Sequence, residues 1–278
     1  MKTKKNHHFL LKSGLLTAAA AGAALFLLFP EKPAKEKAAP FVGRNIAHRG
    51  LYTKDQSVPE NSLPAFRRAV EHGYGVELDV HLVKDRKLVV LHDDTLERMT
   101  GAEGKVEDKT WRELRKLRLA GTEERMPLLE EVLEVIGGRV PIILEIKTGS
   151  RNEAQNEAVL AAISGYRGDL CIESFDPFIV GWWKKNAPQY LRGQLCMGVE
   201  DLKKTLKPAL AWAGGHLFFD VIARPNFIAY DLTAKKPATV KLVEALGAMK
   251  VCWTSHDPSA EEENDTVIFE HYEPKVWF

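Results

Sequence analysis

The chain has 278 residues, of which 45% are apolar and 28% are charged, and its formal net charge is +1. These values are typical of a globular protein of one or two domains with a sizeable core. A nucleic-acid-binding protein usually carries a marked basic excess or stripe, so the near-neutral charge argues against nucleic acid as a partner. The three cysteines, Cys171, Cys196 and Cys252, form no CxxC pair and no Cys/His zinc pattern, and we expect buried free thiols.

The N-terminal region has the order of charge and apolarity that is typical of membrane targeting. Residues 1–12 form a basic leader without acidic residues, and residues 13–29 (SGLLTAAAAGAALFLLF) carry no charge. No good small-residue cleavage site follows, so we interpret 13–29 as an uncleaved transmembrane signal anchor. A cleaved signal peptide and a buried helix are the alternatives.

The residues that follow the anchor are rich in Pro and Lys. Residues 30–41 begin with PEKPAKEKAAP, which has no apolar period and predicts an extended tether. The lysines of the leader favour a cytoplasmic N-terminus. We therefore expect a globular domain, residues 42–278, that is anchored to the membrane and lies outside the cytoplasm.

Residues 42–278 show short apolar runs that alternate with helical patterns, which is typical of βα units and a parallel sheet. The sequence gives bounds for two helices, Asn61–His72 and Leu128–Ile136. Nine strands are predicted, at Asn45–Ala47, Gly75–Leu82, Lys87–Leu91, Pro141–Ile146, Leu170–Glu173, Gln194–Met197, Leu217–Val221, Lys250–Trp253 and Thr266–Phe269.

The third predicted strand lies too close to the second for a parallel crossover, which needs a dozen or more residues. The run Lys87–Leu91 must therefore return antiparallel, as the second arm of a β-hairpin. Eight strands remain, and each remaining gap can hold a helix. The predicted fold class is α/β, a (β/α)8 TIM barrel with a hairpin excursion after strand 2.

Active sites of such barrels lie at the C-terminal ends of the strands. Glu77 and Asp79 point to the same face of the second strand, and Glu145 ends the next barrel strand. Three carboxylates that converge at a barrel mouth repel each other unless a cation lies between them. An all-oxygen set of this kind is preferred by hard divalent cations such as Mg²⁺ and Ca²⁺.

Two histidines also end segments at the predicted mouth. Hydrolysis of a phosphodiester requires activation of a nucleophile and protonation of a leaving oxygen, and His48 and His92 could share these tasks. His81 is ambiguous, because it shares a face with Glu77 and Asp79. His256 and His271 have no partners that the sequence identifies.

Two cations follow the same strand ends. Arg49 and Lys147 could contact a phosphate, or could pair with neighbouring carboxylates, and both roles can coexist.

These residues lie in motifs that resemble those of the glycerophosphodiester phosphodiesterases, in the same order and spacing. The motifs are HRG at 48–50, PEN at 59–61, ELDV at 77–80, VVLHDDTLERMTG at 89–101, LEIK at 144–147 and SFDP at 174–177. The resemblance is dense across 44–147 and looser to about residue 255. It implies a TIM barrel that acts on a small phosphodiester.

The resemblance also implies a role for each matching residue. These roles are a general acid–base pair (His48 and His92), phosphate contacts (Arg49 and Lys147) and ligands of Ca²⁺ or Mg²⁺ (Glu77, Asp79 and Glu145). Glu60 and Asn61 are expected at the edge of the site, where they could instead support the rim loop. Trp253 is expected either to wall the substrate pocket or to pack in the core.

The chain departs from the family pattern near its end. Ser255-His256-Asp257 follows Trp253-Thr254 where a Val and an Asn are usual, and Phe269-Glu270 stands where the last strand usually ends in Thr-Asp. The implied activity is hydrolysis of glycerophosphodiesters to glycerol 3-phosphate and an alcohol. Hydrolysis of a membrane lysophospholipid, as by a lysophospholipase D, is the first alternative. An inactive barrel that binds a phosphorylated ligand is the second, although no metal carboxylate or histidine is lost.

Overall fold

Eight parallel strands close into a barrel in the computed structural model, which describes residues 22–23 and 25–278. Strand β1 pairs with both β2 and β9, and this double pairing closes the ring. The strands are β1 Arg44–Ala47, β2 Gly75–Leu82, β3 Leu88–Val90, β4 Ile142–Ile146, β5 Leu170–Ser174, β6 Leu191–Cys196, β7 Phe227–Asp231, β8 Met249–Ser255 and β9 Thr266–Phe269. The predicted TIM barrel is confirmed.

The ninth strand, β3, belongs to the predicted hairpin. It pairs antiparallel with β2, with Val80 opposite Val90 and Leu82 opposite Leu88. The Val83 N–H donates to the Lys87 carbonyl at 2.9 Å and closes the turn. Residues 91–128 pack against one face of this hairpin around their own apolar cluster, which includes Leu96, Met99, Val106 and Leu114.

Helices cover the outside of the barrel. The helices between residues 35 and 278 are α1 Lys35–Ala38, α2 Leu63–Glu71, α3 Glu97–Thr100, α4 Trp111–Leu114, α5 Leu129–Ile136, α6 Asn152–Ile163, α7 Pro177–Asn186, α8 Val199–Leu202, α9 Pro208–Gly215, α10 Asp220–Ala223 and α11 Ala238–Ala245, with 3₁₀ turns at Val106–Asp108 and Pro258–Glu262. Inside the barrel, one cluster draws side chains from seven strands, among them Ile46, Ile143, Cys171, Phe227, Val251 and Ile268. All three cysteines are buried free thiols, as predicted.

One predicted strand is wrong. Leu217–Val221 forms a turn and the start of α10, and Leu217 has a left-handed backbone with φ 61°. The seventh barrel strand is instead Phe227–Asp231. A short apolar run cannot be distinguished from a strand by periodicity alone, and Leu217 is apolar because it packs into the layer outside β6 and β7.

Strand β6 begins three residues before the predicted start, and a close approach explains its glycine. A Cβ atom on Gly193 would lie 2.0 Å from the ring of Phe227, so only glycine fits beside that side chain. A buried strand rarely contains a glycine followed or preceded by a charged residue, so Arg192 and Gly193 explain why the strand was predicted to begin only at Gln194.

The predicted extended tether is also corrected. Residues 28–41, which we call the strap, pack against the barrel. Leu28 is 1% exposed and lies in the layer outside β6 and β7. Glu31 Oε2 accepts from Arg192 Nη2 at 2.6 Å, and Ala38 and Phe41 join the cluster inside the barrel. Because Arg192 is 1% exposed, its charge needs this partner.

Within residues 22–23 and 25–278, no helix has the length and apolarity to cross a membrane. Most of the predicted anchor, 13–29, lies outside the described residues, and it stays a prediction. Of its last residues, Leu25, Phe26 and Phe29 are exposed, whereas Leu28 is buried.

Candidate active site

Three carboxylates meet at the C-terminal ends of neighbouring strands. Asp79 on β2 and Glu145 on β4 are direct partners in the parallel pairing, and Glu77 lies one layer deeper on β2. One oxygen from each of the three lies within 4.8 Å of the others. All three are buried, with exposures of 2% for Glu77, 1% for Asp79 and 7% for Glu145. The structure therefore brings together the predicted metal ligands.

Burial and mutual repulsion act on this cluster. Burial, and then the charges of Asp79, Glu173 and Glu145, raise the pKa of Glu77 well above its ordinary value. Burial would also raise the pKa of Asp79, but the charges of Lys147, His92 and Arg49 outweigh it and hold that pKa well below the usual range. A closely spaced set of buried, oxygen-only donors with excess negative charge fits a hard divalent cation.

Two cations lie within the cluster. Lys147 Nζ is 2.9 Å from Glu145 Oε1 and 3.3 Å from Asp79 Oδ1. Arg49 Nη1 donates to Glu60 at 2.8 Å, and its Nε lies 3.8 Å from Asp79 Oδ2. The side chains of Arg49 and Lys147 are both largely buried. Both pair with neighbouring carboxylates, which was one of their two predicted roles.

The backbone at Arg49 also serves the site. Its φ is 54°, a left-handed conformation, and its N–H donates to Glu77 Oε2 at 3.0 Å. From the turn that follows β1, this hydrogen bond orients the carboxylate of Glu77, one of the three in the cluster.

His48 directly follows β1 and lies beside the cluster. Its Nε2 lies 3.8 Å from Glu77 Oε2, and its Nδ1 lies 3.0 Å from Glu270 Oε2. Burial lowers the pKa of His48, and the hydrogen bond to Glu270 opposes that effect.

His92 reaches the site from the chain just beyond the hairpin arm β3. Its Nδ1 lies 2.7 Å from Asp93 Oδ1. Arg98 donates to Asp93 Oδ2 from Nε at 2.6 Å and fixes that carboxylate. The histidines therefore share one arrangement, in which Nδ1 faces a carboxylate.

Glu60 and Asn61 are more central than the predicted edge position. Glu60 is 3% exposed and accepts from both Arg49 and Arg98, so it links Arg49 to the support of His92. Asn61 Nδ2 donates to Asp79 Oδ2 at 2.8 Å. Both side chains hold other site residues in place.

Trp253 packs against the core, one of the two predicted possibilities, and its place in the wall of the substrate pocket stays a prediction. Its Nε1 donates to the Ala229 carbonyl at 3.0 Å, and its ring packs edge-on to Phe175 with centroids 5.8 Å apart. It packs on the cluster inside the barrel yet stays partly exposed.

Several residues at the site were missed in the sequence. Glu270, at the end of β9, is reached by His48 and by Tyr52, whose OH donates at 2.5 Å. His256 and His271 converge on the same carboxylate, with Nε2 to Oε1 distances of 3.9 and 3.7 Å. The signal was available, because Glu270 is a polar residue that closes a barrel strand.

Glu173 and His81 are two further polar groups near the cluster. Glu173 on β5 is the register partner of Glu145, is 1% exposed, and has no hydrogen-bond partner for Oε2 among the described residues. His81 is 5% exposed, and burial, followed by the charge of Lys147, lowers its pKa to about 4. His81 is therefore a neutral, buried side chain at neutral pH.

The fold and the site together define a (β/α)8 barrel whose mouth holds an acidic cluster, suited to a metal ion, between two histidines. The sequence model of the glycerophosphoryl diester phosphodiesterase family matches residues 48–271. The chain belongs to this family.

Two relatives illustrate the range of the family. A glycerophosphodiester phosphodiesterase of Caldanaerobacter subterraneus is 41% identical over 192 residues, which are 64% of this chain and 76% of the relative. A rat lysophospholipase D is 35% identical over 139 residues, which are 45% of this chain and 43% of the rat protein.

Solved structures agree with the fold. A phosphodiesterase of Oleispira antarctica, in complex with the product sn-glycerol-3-phosphate, is 25% identical with a TM-score of 0.67, over 84% of this chain and 94% of that one. A glycerophosphodiester phosphodiesterase of Thermotoga maritima is 28% identical with a TM-score of 0.61, over 81% of this chain and 93% of that one.

Proposed function

We propose that this protein hydrolyses glycerophosphodiesters to glycerol 3-phosphate and an alcohol. The observation that carries the proposal is the convergence of three buried carboxylates with two histidines whose Nδ1 atoms each face a carboxylate. Family membership and the Caldanaerobacter relative support it. The product in the Oleispira structure supports glycerol 3-phosphate as the phosphorylated product.

The chemistry divides among the residues of the site. A divalent metal held by Glu77, Asp79 and Glu145 would lower the pKa of a hydroxyl or water and polarise the phosphoryl group. Arg49 and Lys147 have donors beyond those used in their carboxylate pairs, and these can stabilise charge on the phosphate oxygens.

Proton transfer belongs to the two histidines. With Nδ1 held by a carboxylate, each ring keeps Nε2 for the reacting groups. One histidine accepts the proton of the nucleophile and the other protonates the leaving alcohol oxygen.

The metal in use is proposed to be Ca²⁺ or Mg²⁺. The oxygen-only donor set supports either ion, because both are hard cations that prefer carboxylate ligands. Isothermal titration of chelator-treated protein with each ion, followed by activity with each ion, distinguishes them.

The experiment that tests the function is turnover of a panel of glycerophosphodiesters, with and without chelator. Release of glycerol 3-phosphate that stops on chelation and returns with added Ca²⁺ or Mg²⁺ is expected. If no diester in the panel is hydrolysed with either metal, the proposed function is wrong and a ligand-binding role replaces it.

A second candidate activity is hydrolysis of a lysophospholipid. The rat lysophospholipase D supports it, as do the apolar side chains Phe178 and Leu232, which are 67% and 39% exposed just after the C-terminal ends of β5 and β7. Turnover of glycerophosphocholine against a lysophospholipid in detergent separates the two. A clear preference for the soluble diester excludes this candidate.

The site of action is proposed to be the membrane surface on the extracytoplasmic side. The uncharged residues 13–29 and the basic leader before them support an anchor of this orientation. Fractionation of cells, with protease added from outside, tests the proposal. Recovery of the protein in the cytosolic fraction would contradict it.

A further inference from the structure

The carboxylate of Glu270 contacts His48 at the closing seam of the barrel. Glu270 follows β9, His48 follows β1, and these two strands are direct neighbours. Glu270 Oε2 lies 3.0 Å from His48 Nδ1. The side chain of Glu270 is 17% exposed and that of His48 is 14% exposed, so the pair is largely shielded from water.

This contact determines which ring nitrogen carries the proton. An ionised carboxylate is only an acceptor, so Nδ1 of His48 must be the donor. The Thr254 Oγ1 lies 3.4 Å from the same nitrogen and can accept only weakly at that distance. The neutral ring therefore presents Nε2 without a proton, on the side where Glu77 Oε2 lies 3.8 Å away.

Glu270 is itself held from several directions. The Tyr52 hydroxyl donates to Oε2 at 2.5 Å. The Nε2 atoms of His256 and His271 lie 3.9 and 3.7 Å from Oε1. Because both carboxylate oxygens of Glu270 already contact other side chains, the side chain loses little further conformational freedom when it orients His48.

A merely structural role can be separated from an orienting one. Strands β1 and β9 are joined by backbone hydrogen bonds whatever residue stands at position 270, and the His48 N–H donates to the Phe269 carbonyl at 2.9 Å. The side chain of Glu270 adds only the contact to the reactive ring and its own supports.

We propose that Glu270 is the positioning residue of His48: it fixes the tautomer that exposes Nε2, with Tyr52 holding the carboxylate in place. The proposal rests on the proposed phosphodiesterase function, in which His48 transfers a proton. It adds the last strand of the barrel, where the chain departs from the family pattern, to the reaction machinery.

The experiment compares Glu270→Gln and Glu270→Ala with the wild-type protein and with Glu273→Gln as a matched control. Glu273 is an exposed acid three residues away with no side-chain hydrogen bond in the described part of the chain. Both Glu270 variants should lower kcat for a glycerophosphodiester on the order of 10² to 10³-fold, because the imidazole loses its fixed tautomer. KM and metal affinity should stay close to the wild-type values, both variants should remain folded at the assay temperature, and Glu273→Gln should retain full activity.

Two readouts report on positioning itself. Nitrogen-15 NMR of the wild-type protein should show His48 protonated at Nδ1, whereas Glu270→Gln should show a mixture of tautomers. Formate should partly restore kcat in Glu270→Ala by occupying the vacated carboxylate position, and should not change Glu273→Gln. Tyr52→Phe should lower kcat less than either Glu270 variant.

The proposal is overturned if kcat of Glu270→Gln stays within threefold of wild type, or if the His48 tautomer is unchanged in that variant. It is also overturned if activity falls only together with metal affinity and the fraction of folded protein at the assay temperature, since Glu270 would then be structural. A wild-type protein that hydrolyses no diester would contradict the proposed function instead, and the NMR comparison would still decide whether Glu270 fixes the ring.

Discussion

Asp79 and Glu145 face each other across the parallel pairing of β2 and β4, and Lys147 Nζ lies within 3.3 Å of both carboxylates. One cation between two buried acids leaves the charge of the wider cluster uncompensated, because Glu77 lies beside them. This excess of negative charge is the physical basis of the predictions for Glu77 and Lys147.

Replacing Glu77 by Gln should abolish metal-dependent activity and the stabilisation by metal. Wild-type protein at a free metal concentration 100 times Kd should gain about 2.7 kcal/mol over the chelated form. Thermal unfolding with and without Ca²⁺ or Mg²⁺ measures this gain, and Glu103→Gln, at an exposed position, is the control. Undiminished activity of Glu77→Gln in the presence of chelator would show that no metal is used.

His48→Ala and His92→Ala should each lower kcat on the order of 10² to 10⁴-fold, the range expected for loss of a general acid or base. Metal affinity should change little, because neither ring belongs to the carboxylate cluster. Steady-state kinetics and metal titration on the same preparations measure both effects. His72→Ala, at the end of α2 away from the site, serves as the control, and equal losses in all three variants would argue against specific roles.

Lys147→Met should destabilise the protein more in chelator than with bound metal. Without Lys147 the buried carboxylates lose their nearest cation, and breaking a buried pair costs about 3–5 kcal/mol. A bound divalent ion supplies part of the missing charge. Urea unfolding under both conditions measures the difference, and Lys87→Met, which removes an exposed pair 3.9 Å long, should cost less than about 1 kcal/mol. A metal-independent loss would contradict the charge argument.

Phe41→Ala should lower the free energy of unfolding by about 3–5 kcal/mol, the usual cost of truncating a buried phenylalanine. Phe41 is 1% exposed and closes the cluster inside the barrel. The adjacent Val42 is 45% exposed, and Val42→Ala should change stability by less than about 0.5 kcal/mol. If the two variants unfold alike, the strap does not belong to the barrel core.

The stability conferred by Glu270 should depend on pH. Burial would raise the pKa of Glu270, but hydrogen bonds from His48 and Tyr52 outweigh it and lower that pKa to about 2. Because the pKa of Glu270 is lower in the folded than in the unfolded chain, its ionised carboxylate stabilises the fold at pH values above the unfolded-state pKa, near 4.5. This stabilisation is lost as the pH falls toward 2. Wild type should thus lose its advantage over Glu270→Gln between pH 5.5 and about 2.5 in urea unfolding. A constant difference would mean that the carboxylate is not stabilised in its charged form.

The barrel and most of the site could be predicted because they depend on local spacing. The short gap between β2 and β3 required a hairpin, and this placed His92 beyond the barrel strands. Glu77, Asp79 and Glu145 were found because strand ends converge in this fold, and the structure places one oxygen of each within 4.8 Å of the others.

The errors arose where distant segments decide the local structure. Residues 30–41 look like a solvated tether until Arg192 and the base of the barrel provide their partners. Leu217–Val221 is apolar because it packs beside the strap and not because it forms a strand. In the sequence Glu270 stands out only as a departure from the family pattern, since its contact with His48 spans 222 positions of the chain.

The distance in sequence between Glu270 and His48 has a consequence for synthesis on the ribosome. Glu77, Asp79 and Glu145 have all been synthesised once the ribosome has passed residue 145. The carboxylate that orients His48 is synthesised only after the last strand. A nascent or truncated chain that ends before residue 270 therefore holds the three carboxylates of the cluster but lacks the carboxylate that orients His48. On this view hydrolysis reports that translation has finished and that the two ends of the barrel have joined.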